Sequence, residues 1–152
     1  MKKLICLGFV MLLVTLSTFN NGFGMYIFSL STDLGVCFYL GEAPASYIGE
    51  CVKNGEGYIL KTTADFAKEN FSNLSGCYGF SVEIDKNKTT TKNLLDKITI
   101  TKTEKIDNLQ IFYGVASGLP FSTIIENKKV NIQIAISESK IILGSPIILG
   151  SY

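Results

Sequence analysis

The sequence predicts an α+β domain: an antiparallel β-sheet of about five to seven strands with two helices packed on one face. Three observations lead there. Strand-type alternation dominates the chain from Cys77 onward. Two helix-period segments, around 62–74 and 89–98, interrupt or precede it. The resulting order is β-α-β-α followed by a run of strands, which favours an antiparallel sheet with its helices gathered on one side. Of the 152 residues, 47% are hydrophobic, with seven Tyr and ten Phe, so one domain can bury a sizeable core.

The chain begins with an address. Lys2 and Lys3 precede an apolar run from Leu4 to Leu16, and polar or small residues follow: Ser17, Thr18, Asn20, Asn21 and Gly22. That is the charged, apolar and polar order of a secretory signal. Gly22-Phe23-Gly24 places small residues at both recognition positions, so residues 1–24 read as a signal peptide cleaved after Gly24. The alternative is an uncleaved anchor, with membrane association through residues 4–19. The apolar run is shorter than the ~20 residues that comfortably span a bilayer. Residues 25–152 then form a single α+β domain.

Within that domain, residues 25–50 offer little. Tyr26, Phe28 and Leu30 alternate as a short strand would, and Gly41, Pro44 and Gly49 punctuate a loop. Gly57–Leu60 reads as a strand, and Gly55-Glu56-Gly57 as a turn at its start. Thr62 or Thr63 can cap a helix with Asp65 in its first turn. Ala64, Ala67, Phe71 and Leu74 share one face of it, and Ser75-Gly76 stops it. Cys77–Ile84 alternates, with Tyr78, Phe80, Val82 and Ile84 on one side and Gly79, Ser81 and Glu83 on the other. Asp85–Lys88 turns, and Thr89–Thr91 leads into a helix carrying Leu94, Leu95 and Ile98.

A β-meander follows. Thr99–Ile106 turns at Asp107-Asn108 into Leu109–Tyr113. Phe121–Glu126 turns at Asn127-Lys128. Val130, Ile132, Ile134 and Ile136 alternate with Asn131, Gln133, Ala135 and Ser137, the cleanest half-buried strand in the chain. Ile141–Leu143 returns, and Ile147–Leu149 forms a last strand beyond Pro146.

The closing segment carries a resemblance. Lys128-Lys129-Val130-Asn131-Ile132-Gln133-Ile134-Ala135-Ile136, then Gly144-Ser145-Pro146-Ile147-Ile148-Leu149-Gly150-Ser151-Tyr152, resembles the end of the YwmB-like, TATA-box-binding-protein-like family of bacterial exported proteins. Tyr113-Gly114 also fits, so the resemblance lies mainly in residues 109–152. It implies a curved antiparallel sheet with helices on one side. It implies no catalytic residues, because the family has no established activity, and fold does not fix function.

Composition narrows the chemistry. There is no His and no Arg; all 14 basic residues are Lys. A Ser-His-Asp or Cys-His mechanism is thereby excluded, as are histidine metal sites and guanidinium clamps. Gly114-Val115-Ala116-Ser117-Gly118 has the wrong spacing for a nucleophile elbow. Glu83, Asp85 and Asn87 lack the spacing of a calcium loop. Four Cys are present and Cys6 belongs to the leader, leaving Cys37, Cys51 and Cys77. A bridge, if one forms, would join Cys51 to Cys77 around one β-α unit; free thiols are the alternative. Phe38, Tyr39, Tyr47 and Tyr58 are read as core packing, with a binding groove as the other role open to them.

No catalytic, cofactor-binding or metal-ligating residue is therefore assigned, and no cofactor is expected. The expected function is that of an exported, non-catalytic binding or structural domain of the cell envelope, with an envelope protein or a cell-wall component as partner. The alternatives are a carboxylate-based extracytoplasmic hydrolase and a membrane-tethered accessory subunit. No nucleic acid is expected as a partner. Loss of residues 1–24 takes Lys2 and Lys3 and leaves 12 Lys against 13 acids, a formal charge of −1. Phosphate contacts dominate DNA affinity and need cations.

Overall fold

A computed structural model describes residues 22–149. Most of the leader, with Cys6, and the closing Gly150-Ser151-Tyr152 lie outside the described residues. The helices are α1 (Phe23–Ser29), α2 (Ala64–Asn70) and α3 (Lys88–Leu95), with a 3-10 turn at Phe71–Asn73. The strands are β1 (Val36–Leu40), β2 (Glu50–Asn54), β3 (Gly57–Thr62), β4 (Cys77–Asp85), β5 (Thr99–Ile106), β6 (Leu109–Val115), β7 (Thr123–Ile125), β8 (Lys128–Val130), β9 (Ile132–Ile136) and β10 (Lys140–Ser145).

Eight strands form one antiparallel sheet in the order β2-β3-β1-β4-β10-β9-β6-β5, and β7-β8 form a separate two-stranded arm. The α+β class and the antiparallel sheet are as predicted, with more strands. One face of the sheet packs against all three helices. Ile27 and Phe28 of α1, Phe66 and Ala67 of α2 and Leu94 of α3 share a core with Phe38, Phe80, Val82, Ile134, Ile141 and Leu143.

The helices start where local chemistry permits. Thr63, not Thr62, caps α2, its hydroxyl accepting the Phe66 N–H. Asn87 caps α3, its side-chain oxygen accepting the Thr90 N–H at 2.8 Å, which assigns a capping role to a residue the sequence placed in a turn. Gly76 ends the α2 segment at φ +67°, a left-handed conformation that glycine adopts without a Cβ clash.

Five sequence expectations are corrected. Tyr26–Leu30 is not a strand: it lies in or beside α1. Gly24, Ile27 and Phe28 are buried at helical spacing, while Phe23 and Tyr26 stack at 6.1 Å. Tyr78 does not share a face with Phe80. The β1–β4 register shifts between Tyr39 and Leu40, so Cys77 pairs with Leu40 and Tyr78 is the extra residue; it is turned to the other face and is 49% exposed. The long strand from Val130 divides at Asn131 into β8 and β9, and β9 is buried on both faces. The turn of the β7–β8 arm is Glu126-Asn127, both at positive φ, as a tight two-residue hairpin loop demands.

The fifth concerns Ile147–Leu149, which forms no strand. Past Ser145-Pro146 the chain turns across the helix-free face of the sheet, where the Ile148 N–H donates to Gln133 Oε1 at 2.9 Å. Two glycines make room for it. A Cβ on Gly144 would sit 2.5 Å from the Ile148 nitrogen and 2.6 Å from the Ile147 carbonyl carbon. A Cβ on Gly79 would sit 2.9 Å from the Ser145 oxygen. Gly144→Ala is therefore expected to push this segment off the sheet and cost about 1–3 kcal/mol, the usual range for forced overpacking. A urea midpoint equal to wild type would show that the segment is not held there.

Candidate functional site

The helix-free face is the surface that the core leaves open. Register alone shows what lies on it. Val52 of β2 pairs with Ile59 of β3, and Ile59 pairs with Tyr39 of β1. These three form a row across adjacent strands, and the row ends at bare Gly79 of β4. Tyr78 joins it from the bulge: its ring lies 6.4 Å from that of Tyr39. Its hydroxyl oxygen would be 3.3 Å from a Cβ on Gly57. Val52 is 46% exposed. The row ends at β2, a sheet edge.

Beside the row is a cleft of about 300 Å³, bounded by Cys37, Tyr39, Lys61, Ser81, Glu83 and the crossing segment at Leu149. Tyr39 and Ser81 hydrogen-bond at 2.9 Å, and both are buried. Burial pushes the Tyr39 hydroxyl and the Cys37 thiol above their ordinary pKa values; Ser81 opposes this at both, and Lys61 does so at Cys37. These groups are held in their neutral forms, so the cleft offers hydrogen bonds and apolar contact rather than a nucleophile.

Several carboxylates are engaged with lysines. Lys140 meets Glu83 at 3.1 Å and Asp85 at 2.7 Å. Lys102 meets Glu104 at 2.7 Å and Glu126 at 2.6 Å, and Tyr113 donates to Glu104 at 2.9 Å. Hydrogen bonds from Lys102 and then Tyr113 hold Glu104 below its usual carboxylate pKa. None of the carboxylates among the described residues is buried. Thus Glu83 and Asp85 answer to Lys140, while Asn87 caps α3. No cluster of three or more His, Cys, Asp or Glu among the described residues is arranged to hold a metal ion. Among the same residues, no helix is long and apolar enough to cross a membrane.

The sequence grouped Phe38, Tyr39, Tyr47 and Tyr58; the structure separates them. Phe38 is fully buried in the core and Tyr58 packs against it. Tyr39 faces the opposite side, and Tyr47 is 47% exposed in the β1–β2 loop. Val52, Ile59 and Tyr78 were not singled out as site residues. The hairpin turn Gly55-Glu56 held the signal for two of them, since counting outward from it pairs Val52 with Ile59. Tyr78 had no such signal, because a bulge reverses its side.

Of the two states left open for the cysteines, the structure has free thiols at Cys37, Cys51 and Cys77. Cys51 is on β2 and Cys77 on β4, with β3 and β1 between them. Three strand spacings of about 4.8 Å put them far beyond the span of a disulfide. Burial raises the Cys77 pKa to about 11, opposed by a backbone hydrogen bond at Gly79. At pH 8 its thiolate fraction is then on the order of one in a thousand, so native Cys77 should alkylate at least 100-fold more slowly than an ordinary free cysteine. Mass-spectrometric timing with iodoacetamide measures this. Equal rates would show that the thiol is not shielded.

Compared with known proteins, the chain matches no family model, no curated protein and no solved structure.

Proposed function

We propose that this protein is an exported, non-catalytic binding domain of the cell envelope, and that it engages its partner through the β2 end of the helix-free face. The observation that carries the reading is exposed Val52 and half-buried Ile59, in register with buried Tyr39 beneath exposed Tyr78, in a row that ends on a sheet edge. Apolar side chains grouped on an open face mark contact surfaces more than scattered ones do.

The edge adds main-chain groups. Asn54 pairs with Gly57 across the two-residue turn, so the hydrogen-bonded pairs of β2 with β3 fall at Asn54, Val52 and Glu50. The N–H and C=O of Cys51 and Lys53 accordingly point away from the sheet, where an extended segment of an envelope protein can add. Export is supported by the charged-apolar-polar order of residues 1–24. The resemblance of residues 109–152 to the YwmB-like exported family supports the same location. The most specific motif of that resemblance is Gly144-Ser145-Pro146, and Gly144 is where the closing segment needs a bare backbone. No nucleic acid belongs to this reading: Lys102 and Lys140, two cations of the open face, are paired with carboxylates rather than presented to phosphate.

The test is retention of envelope proteins and wall fragments on the immobilised domain, comparing wild type with a Val52→Glu, Tyr78→Ser double variant. Both positions are exposed, so the variant should keep the wild-type melting temperature and lose the retained partner. A wild-type domain that retains nothing, or a variant that retains as much, would count against the reading.

A further inference from the structure

The geometry points to a mature chain that keeps Gly22, Phe23 and Gly24, with any processing of the leader upstream of Gly22 rather than after Gly24. This rests on the export reading above and moves the boundary within it. The cleavage motif Gly22-Phe23-Gly24 is a local sequence pattern; in the fold those residues are structural.

Each of the three has a place. Gly22 is the residue before α1, and its carbonyl accepts the Met25 N–H at 3.2 Å. It also lies backbone to backbone against the β6–β7 connection: a Cβ on it would be 3.2 Å from the Gly118 Cα, and a Cβ on Gly118 would be 3.2 Å from the Gly22 Cα. Two bare residues permit that approach. Phe23 packs against the core and stacks on Tyr26, while Lys97 lies 5.2 Å from the centre of the Tyr26 ring. Gly24 is buried, 3.8 Å from the Leu119 side chain by its would-be Cβ.

Hydrolysis after Gly24 would undo this. Water would supply the hydroxyl of a new Gly24 carboxylate and a proton of a new Met25 amine. The amine, cationic at neutral pH, would sit in the first turn of α1, at the positive end of the helix dipole. It would lie one turn from Ile27 and Phe28, both fully buried. The Phe23 ring and the Gly22–Gly118 contact would leave with the leader. A cut further upstream removes none of these contacts.

The experiment expresses the full chain in a bacterial host, fractionates the cells and sequences the amino terminus of the exported protein. A terminus at or before Gly22 is the expected result. An exported chain beginning at Phe23, Gly24 or Met25 overturns this inference and leaves the export reading standing. An uncleaved chain confined to the cytoplasm overturns the export reading and this inference together.

Discussion

Phe80→Ala should lower stability by about 3–5 kcal/mol, the range for removing a buried aromatic ring from a packed core. Phe80 is fully buried. Its ring lies 5.1 Å from Phe28, 5.4 Å from Phe71 and 6.4 Å from both Phe38 and Phe121, all at steep interplanar angles. These edge-to-face contacts each add about 0.5–1.5 kcal/mol beyond burial. The residue thus links α1, the 3-10 turn and β1 to the central strand β4, and the loss would be a large share of the 5–15 kcal/mol typical of a domain. Urea denaturation should show a lower midpoint at unchanged slope. A cost under about 1.5 kcal/mol would mean that the ring cluster relaxes around the gap rather than defining the core.

Asn131→Leu is the second substitution with a large expected effect, through polarity rather than volume. Asn131 is buried, and its amide holds the Ala116 backbone at both ends: Nδ2 donates to the carbonyl at 2.7 Å, and Oδ1 accepts the N–H at 2.8 Å. Its own carbonyl accepts the Ser145 hydroxyl at 2.9 Å. Leucine fills similar space and leaves the Ala116 N–H and C=O without these partners inside the protein. Each such group costs about 1–3 kcal/mol, so a total of about 2–5 kcal/mol is expected. Asn131→Asp separates the two halves of the clamp. It keeps the acceptor and sets a carboxylate against the Ala116 carbonyl, so its carboxyl pKa should rise on folding. The variant should then be more stable at acid pH, relative to wild type, and lose that stability as pH rises through the raised value. A pH-independent difference between the two would show that the amide is not clamping the loop.

How much could be read from the chain depends on which side of a strand is buried. β4, β5 and β6 were legible because turn residues bound them and at least part of each alternates. α2 and α3 were legible from their caps and apolar spacing. β1 was not: Val36, Phe38, Tyr39 and Leu40 are all buried, so no period of two remains to see. β2 has the opposite problem, being largely exposed at an edge with no apolar face of its own. α1 is only seven residues long, and a chance alternation of Tyr26, Phe28 and Leu30 imitates a strand. The candidate site was the least legible part. Its row is assembled from three strands, one aromatic is delivered by a bulge, and its boundary is a segment whose path depends on two missing Cβ atoms.

The strand order has a consequence for when this sheet can exist. The first half, β2-β3-β1-β4, is built from neighbouring segments, and so is β9-β6-β5. The halves meet only where β10 lies between β4 and β9. That seam pairs Lys140 with Asp85, 55 residues apart, and β10 is the last strand among the described residues. Contacts so distant in sequence form late, because the intervening chain must be ordered before they contribute. Without β10 the other described strands of the sheet form two incomplete sheets with open inner edges, and no continuous core under α1–α3. Among the described strands, β10 therefore acts as the latch of the sheet. Until it pairs with both β4 and β9 the two halves stay separate, and its docking joins them in one long-range step.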